Sequence, residues 1–352
     1  SQAAMNQHFA DLHAPDTDLK GIARRIHRHC MAFRGADVSR SLLQLANTLP
    51  AFAVLMGLIG LLATNYYWAS LLLAIPAGGL LVRIFIFQHD CGHGSFMPTR
   101  EGNDRLGMVL SLLTFTPYDH WKRNHAAHHA GSGNLDRRGM GDIDTITVSE
   151  YRALTLWQKF VYRFYRNLIV QLVIGAPLNF LVLQRVPSSF AFRDPEAWKS
   201  VLTLNAGLVL FYGSLMWAFG PLLIIKAVVP VVCVAAWLGG WLFYVQHQYE
   251  MTLWDHEDRW DFHVASLFGS SRYVLPKWLQ WFTGNIGLHH IHHLCSGIPN
   301  YRLQECHNAC EELRAVENKL TLIESLKSIP LALWDEKGRR MITIRQYRAL
   351  PA

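Results

Sequence analysis

Charge is what this chain of 352 residues most lacks. Asp, Glu, Lys and Arg make up 17% of it, against roughly a quarter of an ordinary soluble protein. The shortage is concentrated. Residues 41–82 hold no formal charge, and between Lys199 and Glu250 the one charged residue is Lys226. Cysteine is also sparse: Cys30, Cys91, Cys233, Cys295, Cys306 and Cys310 form no CxxC pair. That excludes a disulfide scaffold and makes reduced thiols the expectation. There is no Gly-rich phosphate loop, and the scattered basic residues accompany no nucleic-acid-binding motif. With 51% hydrophobic residues the chain is not disordered, and a water-soluble single domain is a poor fit.

The two uncharged runs carry the fold. A crossing of the hydrocarbon core takes about 20 helical residues at about 1.5 Å each, so each run is the length of two crossings. Each has a turn signal near its middle: Thr64-Asn65-Tyr66-Tyr67-Trp68 in the first and Trp217-Ala218-Phe219-Gly220-Pro221 in the second. The pattern predicts two helical hairpins, 45–64 with 67–87 and 200–219 with 222–246. The expected fold is all-α and integral to the membrane, with four transmembrane helices in two hairpins and a cytoplasmic helical cap. As one domain it reads as a first hairpin (45–87), a cytoplasmic and interfacial region (88–198), a second hairpin (200–246) and a cap with a C-terminal tail (247–352). Every Lys and Arg except Lys226 lies outside 41–82 and 201–249, which makes the side holding the long loops cytoplasmic. Two shorter apolar runs, Leu106–Tyr118 and Asn167–Gln184, read as helices lying in the interface. The polar N-terminus does not resemble a signal peptide. A net charge of +7 suits anionic lipid or an acidic soluble partner, with nucleic acid the weaker fit.

Eighteen histidines are present, and half of them form a pattern. His89 and His93 follow the first hairpin, His125, His128 and His129 lie between the hairpins, and His289, His290, His292 and His293 follow the second. A helix places positions i, i+3 and i+4 on one face, so each segment can aim two or three imidazoles at one point. His290 points about 100° away from His289 and is left out. Eight convergent imidazoles are too many for one centre of ordinary coordination, so two metals are implied. His247, where the second hairpin returns to the same side, is a ninth candidate. Close-packed imidazoles repel when protonated, and a bound cation keeps them neutral. His8, His13, His27 and His29 read as surface groups. His120, His256, His263 and His307 read as groups beside the site, or as plain structure.

Imidazole ligands suit iron, zinc, copper or nickel. A hydrolytic zinc site of the H-E-x-x-H kind is disfavoured, because Asp90, not Glu, follows His89 in the five-residue segment His89–His93. A transporter would place ligands near the bilayer midplane, yet no histidine lies within 41–82 or 201–246. A pair of redox metals that activates O2 against an inert C–H bond fits better. Asp90, Glu250, Asp255 and Asp261 are then candidate acceptors for the outer ring N–H groups of the ligands.

The segments HDCGHGSF at 89–96, HxxHH at 125–129, FYVQHQYE at 243–250 and HxxHH at 289–293, the last followed by Ile298-Pro299-Asn300-Tyr301, resemble the membrane fatty acid desaturases of the acyl-lipid Δ12/ω-3 type. The resemblance runs from about residue 40 to about residue 310. It implies a non-haem centre of two iron ions on the cytoplasmic side, with O2 as co-substrate, that removes two hydrogens from a long acyl chain. Carried over residue by residue, the ligands are His89, His93, His125, His128, His129, His247, His289, His292 and His293. No fused cytochrome b5 motif (His-Pro-Gly-Gly) is present, so the electron donor is a separate ferredoxin or cytochrome b5. The doubled His289-His290 leaves the register of the third segment open by one residue. A hydroxylase or ketolase with the same histidine segments, and a zinc-dependent membrane hydrolase, are the alternatives.

Overall fold

A computed structural model describes residues 18–351; His8 and His13 lie outside the described residues. After an N-terminal helix α1 (Leu19–Cys30) come two long helices, α2 (Val38–Leu62) and α3 (Tyr67–Gly92). Asp37 caps α2 by accepting a hydrogen bond from the Arg40 amide at 3.2 Å, and the pair turns over residues 63–66. Next are α4 (Arg100–Thr114), α5 (Tyr118–Gly131), α6 (Val148–Ala153), α7 (Leu156–Arg166) and α8 (Ala176–Leu181). The second long pair is α9 (Pro195–Phe219) and α10 (Pro221–His247). Gly220 breaks it at φ +88°, a left-handed value that a Cβ would oppose, and Pro221 opens α10 with its preset φ.

The outer faces of these pairs are apolar. Leu61, Val209, Leu210 and Trp217 are all more than two-thirds exposed, which is the inverse of a soluble protein's helices and suits lipid contact. α3 is the exception, since its cap-side half, from Ala77 to Cys91, is almost wholly buried. It packs against α2, α4 and α10. The approach to α10 is close: a Cβ on Gly78 would lie 2.4 Å from Val234 Cγ1 and 3.1 Å from the Ala235 amide nitrogen.

Among the described residues, five helical stretches are long and apolar enough to cross a membrane, one more than the four expected. The additional stretch is Ile169–Ala191, which overlaps most of the run Asn167–Gln184 read from sequence as interfacial. It is a chain of short pieces: a π-helical turn Ile169–Gly175, then α8, then 3-10 turns Leu183–Arg185 and Ser189–Ala191. The other short apolar run is divided between α4 and α5, because Phe115 takes the left-handed conformation at φ 58° and ends α4.

Later come α11 (Phe262–Phe268), α12 (Lys277–Phe282), α13 (His289–Leu294), α14 (Asn300–Asn308), α15 (Glu311–Val316), α16 (Leu322–Ser325) and α17 (Ile344–Arg348); several of these pack with α1 into a helical layer, here called the cap. Its core joins Ala23, Ile26 and Cys30 to Leu267, Ile291 and Leu303. The cysteines are free, and the Cys306 and Cys30 sulfurs are 3.6 Å apart within this core.

The all-α expectation needs correction. Strands β1 (Ile146–Thr147), β2 (Arg272–Val274), β3 (Lys319–Thr321), β4 (Leu331–Asp335) and β5 (Arg340–Thr343) form two small sheets. One has the order β1-β4-β5, with β1 parallel and β5 antiparallel to β4; the other pairs β2 with β3 in parallel. The β4–β5 hairpin forms because Leu331–Asp335 is buried on both faces and Arg339, at φ 48°, reverses the chain after Gly338. Such short strands carry little periodicity.

The close α3–α10 contact is testable. Gly78→Leu should cost about 1–3 kcal/mol through overpacking. Gly60→Ala, whose Cβ meets nothing within 4 Å, should be neutral or stabilising by up to about 1 kcal/mol. Melting of the two purified variants in detergent measures both.

Candidate metal centre

Each histidine segment reaches the site because a helix ends or runs there. α3 finishes at the cap with His89, and His93 follows as its C-cap, the rings 4.8 Å apart between centroids. α5 contributes His125, His128 and His129 from its last two turns, α10 ends on His247, and α13 supplies His289, His292 and His293. The imidazoles divide into two groups. In the first, His89, His93, His125, His129 and His292 bring one ring nitrogen each to within 4.8 Å of all the others. His128, His247 and His293 form the second on the same measure. His289 joins its edge, with Nε2 2.9 Å from His247 Nε2. The groups share a wall, where the His129 and His293 rings stack at 4.1 Å between centroids. All nine sequence candidates are thus assembled in one place, and His290 is turned away from them.

Nitrogen faces nitrogen throughout. His129 Nε2 is 3.1 Å from both His125 Nε2 and His292 Nε2, and His247 Nε2 is 3.3 Å from His128 Nε2. His93 Nε2 and both nitrogens of His293 are buried without a hydrogen-bond partner. Burial first, and then the neighbouring imidazoles, push His93, His125, His129, His292 and His293 well below the ordinary histidine pKa. Neutral rings with lone pairs converging on two points are a donor set for two soft-to-borderline cations. Buried polar atoms without partners, costly otherwise, are then accounted for.

Three outer partners orient the rings. His89 Nδ1 lies 3.3 Å from Asp90 Oδ1, His128 Nδ1 2.5 Å from Asp142 Oδ1, and His247 Nδ1 3.3 Å from the Gly269 carbonyl oxygen. A donor bond at Nδ1 leaves Nε2 as the lone-pair nitrogen. Asp90 is itself fixed by Asn300, whose amide and side-chain nitrogens donate to Oδ2 at 2.8 and 2.9 Å.

The other carboxylates picked out from sequence do not serve the imidazoles of the two groups. Glu250 pairs with Arg340 at 3.3 Å, and Asp255 pairs with both Arg339 guanidinium nitrogens at 2.9 and 3.0 Å. Asp261 caps α11 and lies 3.7 Å from Arg24. Sequence reasoning missed Asp142 and Gly269. A signal for Asp142 existed in its spacing, 14 residues beyond His128 across a glycine-containing loop. His120 hydrogen-bonds to Ser188 Oγ at 3.1 Å, His256 to Asp136 at 2.8 Å and His307 to Glu317 at 2.8 Å, while the His263 ring packs on His27. Burial works to raise the Glu317 carboxyl's pKa, yet hydrogen bonds from His290 and His307 outweigh it and hold the group below the usual carboxylate range.

A cavity of about 650 Å³ opens beside the centre, between α3, α5, α8 and α10. Leu81, Phe85, Val232, Ala236 and Phe243 give it an apolar wall, and His89, His125, His128 and His289 stand along it. Its size is in the range of about 300–1,000 Å³ common for small-molecule sites.

Fold and site together define a membrane metalloprotein with an all-imidazole double cluster. The family model for fatty acid desaturases matches residues 66–324. A fatty acid desaturase of Bacillus subtilis is 38% identical over 93% of this chain and 92% of its own length. An sn-1 acyl-lipid omega-3 desaturase (ferredoxin) of Synechocystis is 31% identical over 67% of this chain and 66% of its own. An sn-1 oleoyl-lipid 12-desaturase of Picosynechococcus is 26% identical over 76% of each. The chain belongs to the fatty acid desaturase family, and it is an oxidoreductase of that class.

The buried neutral imidazoles set a pH dependence. In the unfolded chain they take up protons near the ordinary value of 6.5, and in the fold they do so only well below it. Stability they permit is therefore present above that value and lost as pH falls below it, by about 1.4 kcal/mol per pH unit for each such ring. The metal-free protein should melt markedly lower at about pH 5.5 than at about pH 7.5; equal melting temperatures would contradict neutral burial.

Proposed function

We propose that the two imidazole groups hold two iron ions, and that the protein uses them with O2 to introduce a double bond into a long acyl chain of a membrane lipid. The observation that carries this reading is the double cluster of neutral, partly orphaned imidazoles along the wall of an apolar cavity. His89, His93, His125, His129 and His292 are the ligands of one ion, and His128, His247, His289 and His293 those of the other. Bound there, the metals supply one-electron chemistry and O2 activation at neutral nitrogen donors. Two hydrogens leave the chain and, with two electrons from a donor and two protons from solvent, would reduce O2 to two waters.

This chain's own residues hold and orient. The cavity wall positions an acyl chain by shape, with no charge to recognise along its length, and so decides which carbon lies nearest the imidazoles. Burial of the rings keeps water from the reacting atoms. Asp90, Asp142 and the Gly269 carbonyl keep three imidazoles in the tautomer that offers Nε2 inward. No carboxylate stands among the converging nitrogens as a general base, which favours oxidation over hydrolysis. Hydroxylation begins with the same hydrogen removal; the desaturase names of the relatives favour desaturation.

Four crossings in two hairpins, α2 with α3 and α9 with α10, support a site on the cytoplasmic side, where nearly all Lys and Arg fall. The broken backbone of 169–191 supports an interfacial position for that stretch, because lipid does not satisfy irregular backbone. α7 leads into it with Leu156, Trp157, Phe160 and Phe164 exposed on one face, as an interfacial helix would. Two of the relatives carry ferredoxin in their names, and a ferredoxin-type carrier is the proposed donor here.

Expression in a host with a suitable donor, followed by gas chromatography of total fatty acids, should reveal a new unsaturated species. His128→Ala and His292→Ala should each abolish it and lower the iron bound to purified protein; full activity in either variant would remove that residue from the ligand set. Gly239 lines the cavity and its Cβ would meet nothing within 4 Å. Gly239→Leu should therefore fold normally, fill part of the cavity and move the product profile towards shorter acyl chains.

A further inference from the structure

The third histidine segment has a back face as well as a front, and the back face is tied down. α13 turns His289, His292 and His293 inward, while His290 points the other way into a polar knot whose centre is buried. Its centre is Glu317, whose side chain has no exposure. Oε1 accepts from Arg272 Nη1 at 2.7 Å and lies 3.5 Å from Lys319 Nζ; Oε2 accepts from His307 Nε2 at 2.8 Å and lies 3.1 Å from His290 Nε2. The partners come from four directions: Arg272 from β2, Lys319 from β3, His307 from α14 and His290 from α13. Two histidines and a carboxylate at such distances resemble a metal site. Arg272 and Lys319 already balance the carboxylate's charge, which argues against a third cation there.

We propose that Glu317 is a positioning residue for the metal centre. By holding His290 on the outer face of α13, it fixes the rotation of that short helix and so decides that His289, not His290, presents its ring to the ions. The physical case is one of leverage. α13 has six residues, too few to be rigid in rotation by its own hydrogen bonds. A turn of about 100° would exchange His289 for His290 and carry His292 and His293 off their points. Hydrophobic packing by Ile291 resists this only in part, since it is not directional. The 3.1 Å polar contact of His290 Nε2 with a buried carboxylate that is itself held by Arg272 is lost on any such turn, and so opposes it. Glu317 stands on a stretch anchored at the next residue too, where Asn318 Nδ2 donates to the Phe268 carbonyl at 2.9 Å and the Asn318 carbonyl accepts from the Arg272 amide at 2.6 Å.

The inference rests on the two-metal reading, and one titration separates the two. Purified metal-free protein is titrated with cobalt(II) against a chelator, following its visible d–d absorption, with size exclusion and melting as checks of folding. Wild-type protein that takes up no pair of ions refutes the two-metal reading. Given that uptake, His290→Phe keeps a ring but loses the polar contact with Glu317, and should bind about 10- to 100-fold more weakly with an altered spectrum. His290→Gln places an amide nitrogen near the lost Nε2 and should restore both affinity and spectrum. Glu317→Gln, which removes the acceptor charge, should behave as His290→Phe does and stands in for it if that variant fails to fold. A wild-type spectrum and affinity in His290→Phe, or in Glu317→Gln when it stands in, overturns the proposal. So does a folded His290→Gln that stays as impaired as His290→Phe, because the ring and not its polar contact would then matter.

Discussion

Ring nitrogens held 2.9–3.3 Å from one another in a buried volume are a conflict that the protein alone does not resolve. A neutral imidazole has one N–H and one lone pair, and with Nδ1 of His128 and of His247 donating outward, their two Nε2 lone pairs face each other at 3.3 Å. Protonating a ring would relieve one contact but place a charge in a desolvated site beside other rings. A cation between the nitrogens settles every contact at once. The nine-ring arrangement therefore stores the demand for metal in its geometry, and much of the architecture around it serves to bring those rings together and keep them dry.

Long helices do the bringing. α3 and α10 both end at the cap, and their close packing at Gly78 aligns His89 with His247 across the site. α5 lies across those ends with three histidines on its last turns, and α13 closes from the cap side. The cavity follows from the same packing. It lies where α3 and α10 face α8 and where small residues (Ala176, Ala235, Ala236, Gly239 and Gly240) leave room. Metal centre and acyl-sized space are thus two results of one helix arrangement, the first at its polar end and the second along its apolar length.

Much of this was legible from residue order. Charge-free runs of two crossings' length and a Gly-Pro break place the ends of the long helices to within seven residues, because lipid burial and helix termination are local demands. Histidines at i, i+3 and i+4 declared a shared face. The carboxylates were less legible. Asp90 adjoins a ligand along the chain; Glu250, Asp255 and Asp261 are near His247 in sequence only. After Gln248 the backbone leaves the site, and the β4–β5 turn brings Arg339 and Arg340 to Asp255 and Glu250 instead. Asp142 reaches His128 across a loop, and Glu317 reaches His290 from 27 positions away. Contacts of that kind depend on how loops return, which no period encodes. The five short strands escaped for the same reason.

Sequence alone determined the class of environment, the long helices and the number of imidazoles available, since hydropathy and helical spacing act within a segment. Only the tertiary structure decided how those imidazoles divide. His128 and His129 are neighbours in the chain yet belong to different groups, as do His292 and His293, and His289 faces inward while His290 faces Glu317. Helical periodicity sets the angle between two side chains, but the rotation of the whole helix about its axis is set by what packs against each of its faces.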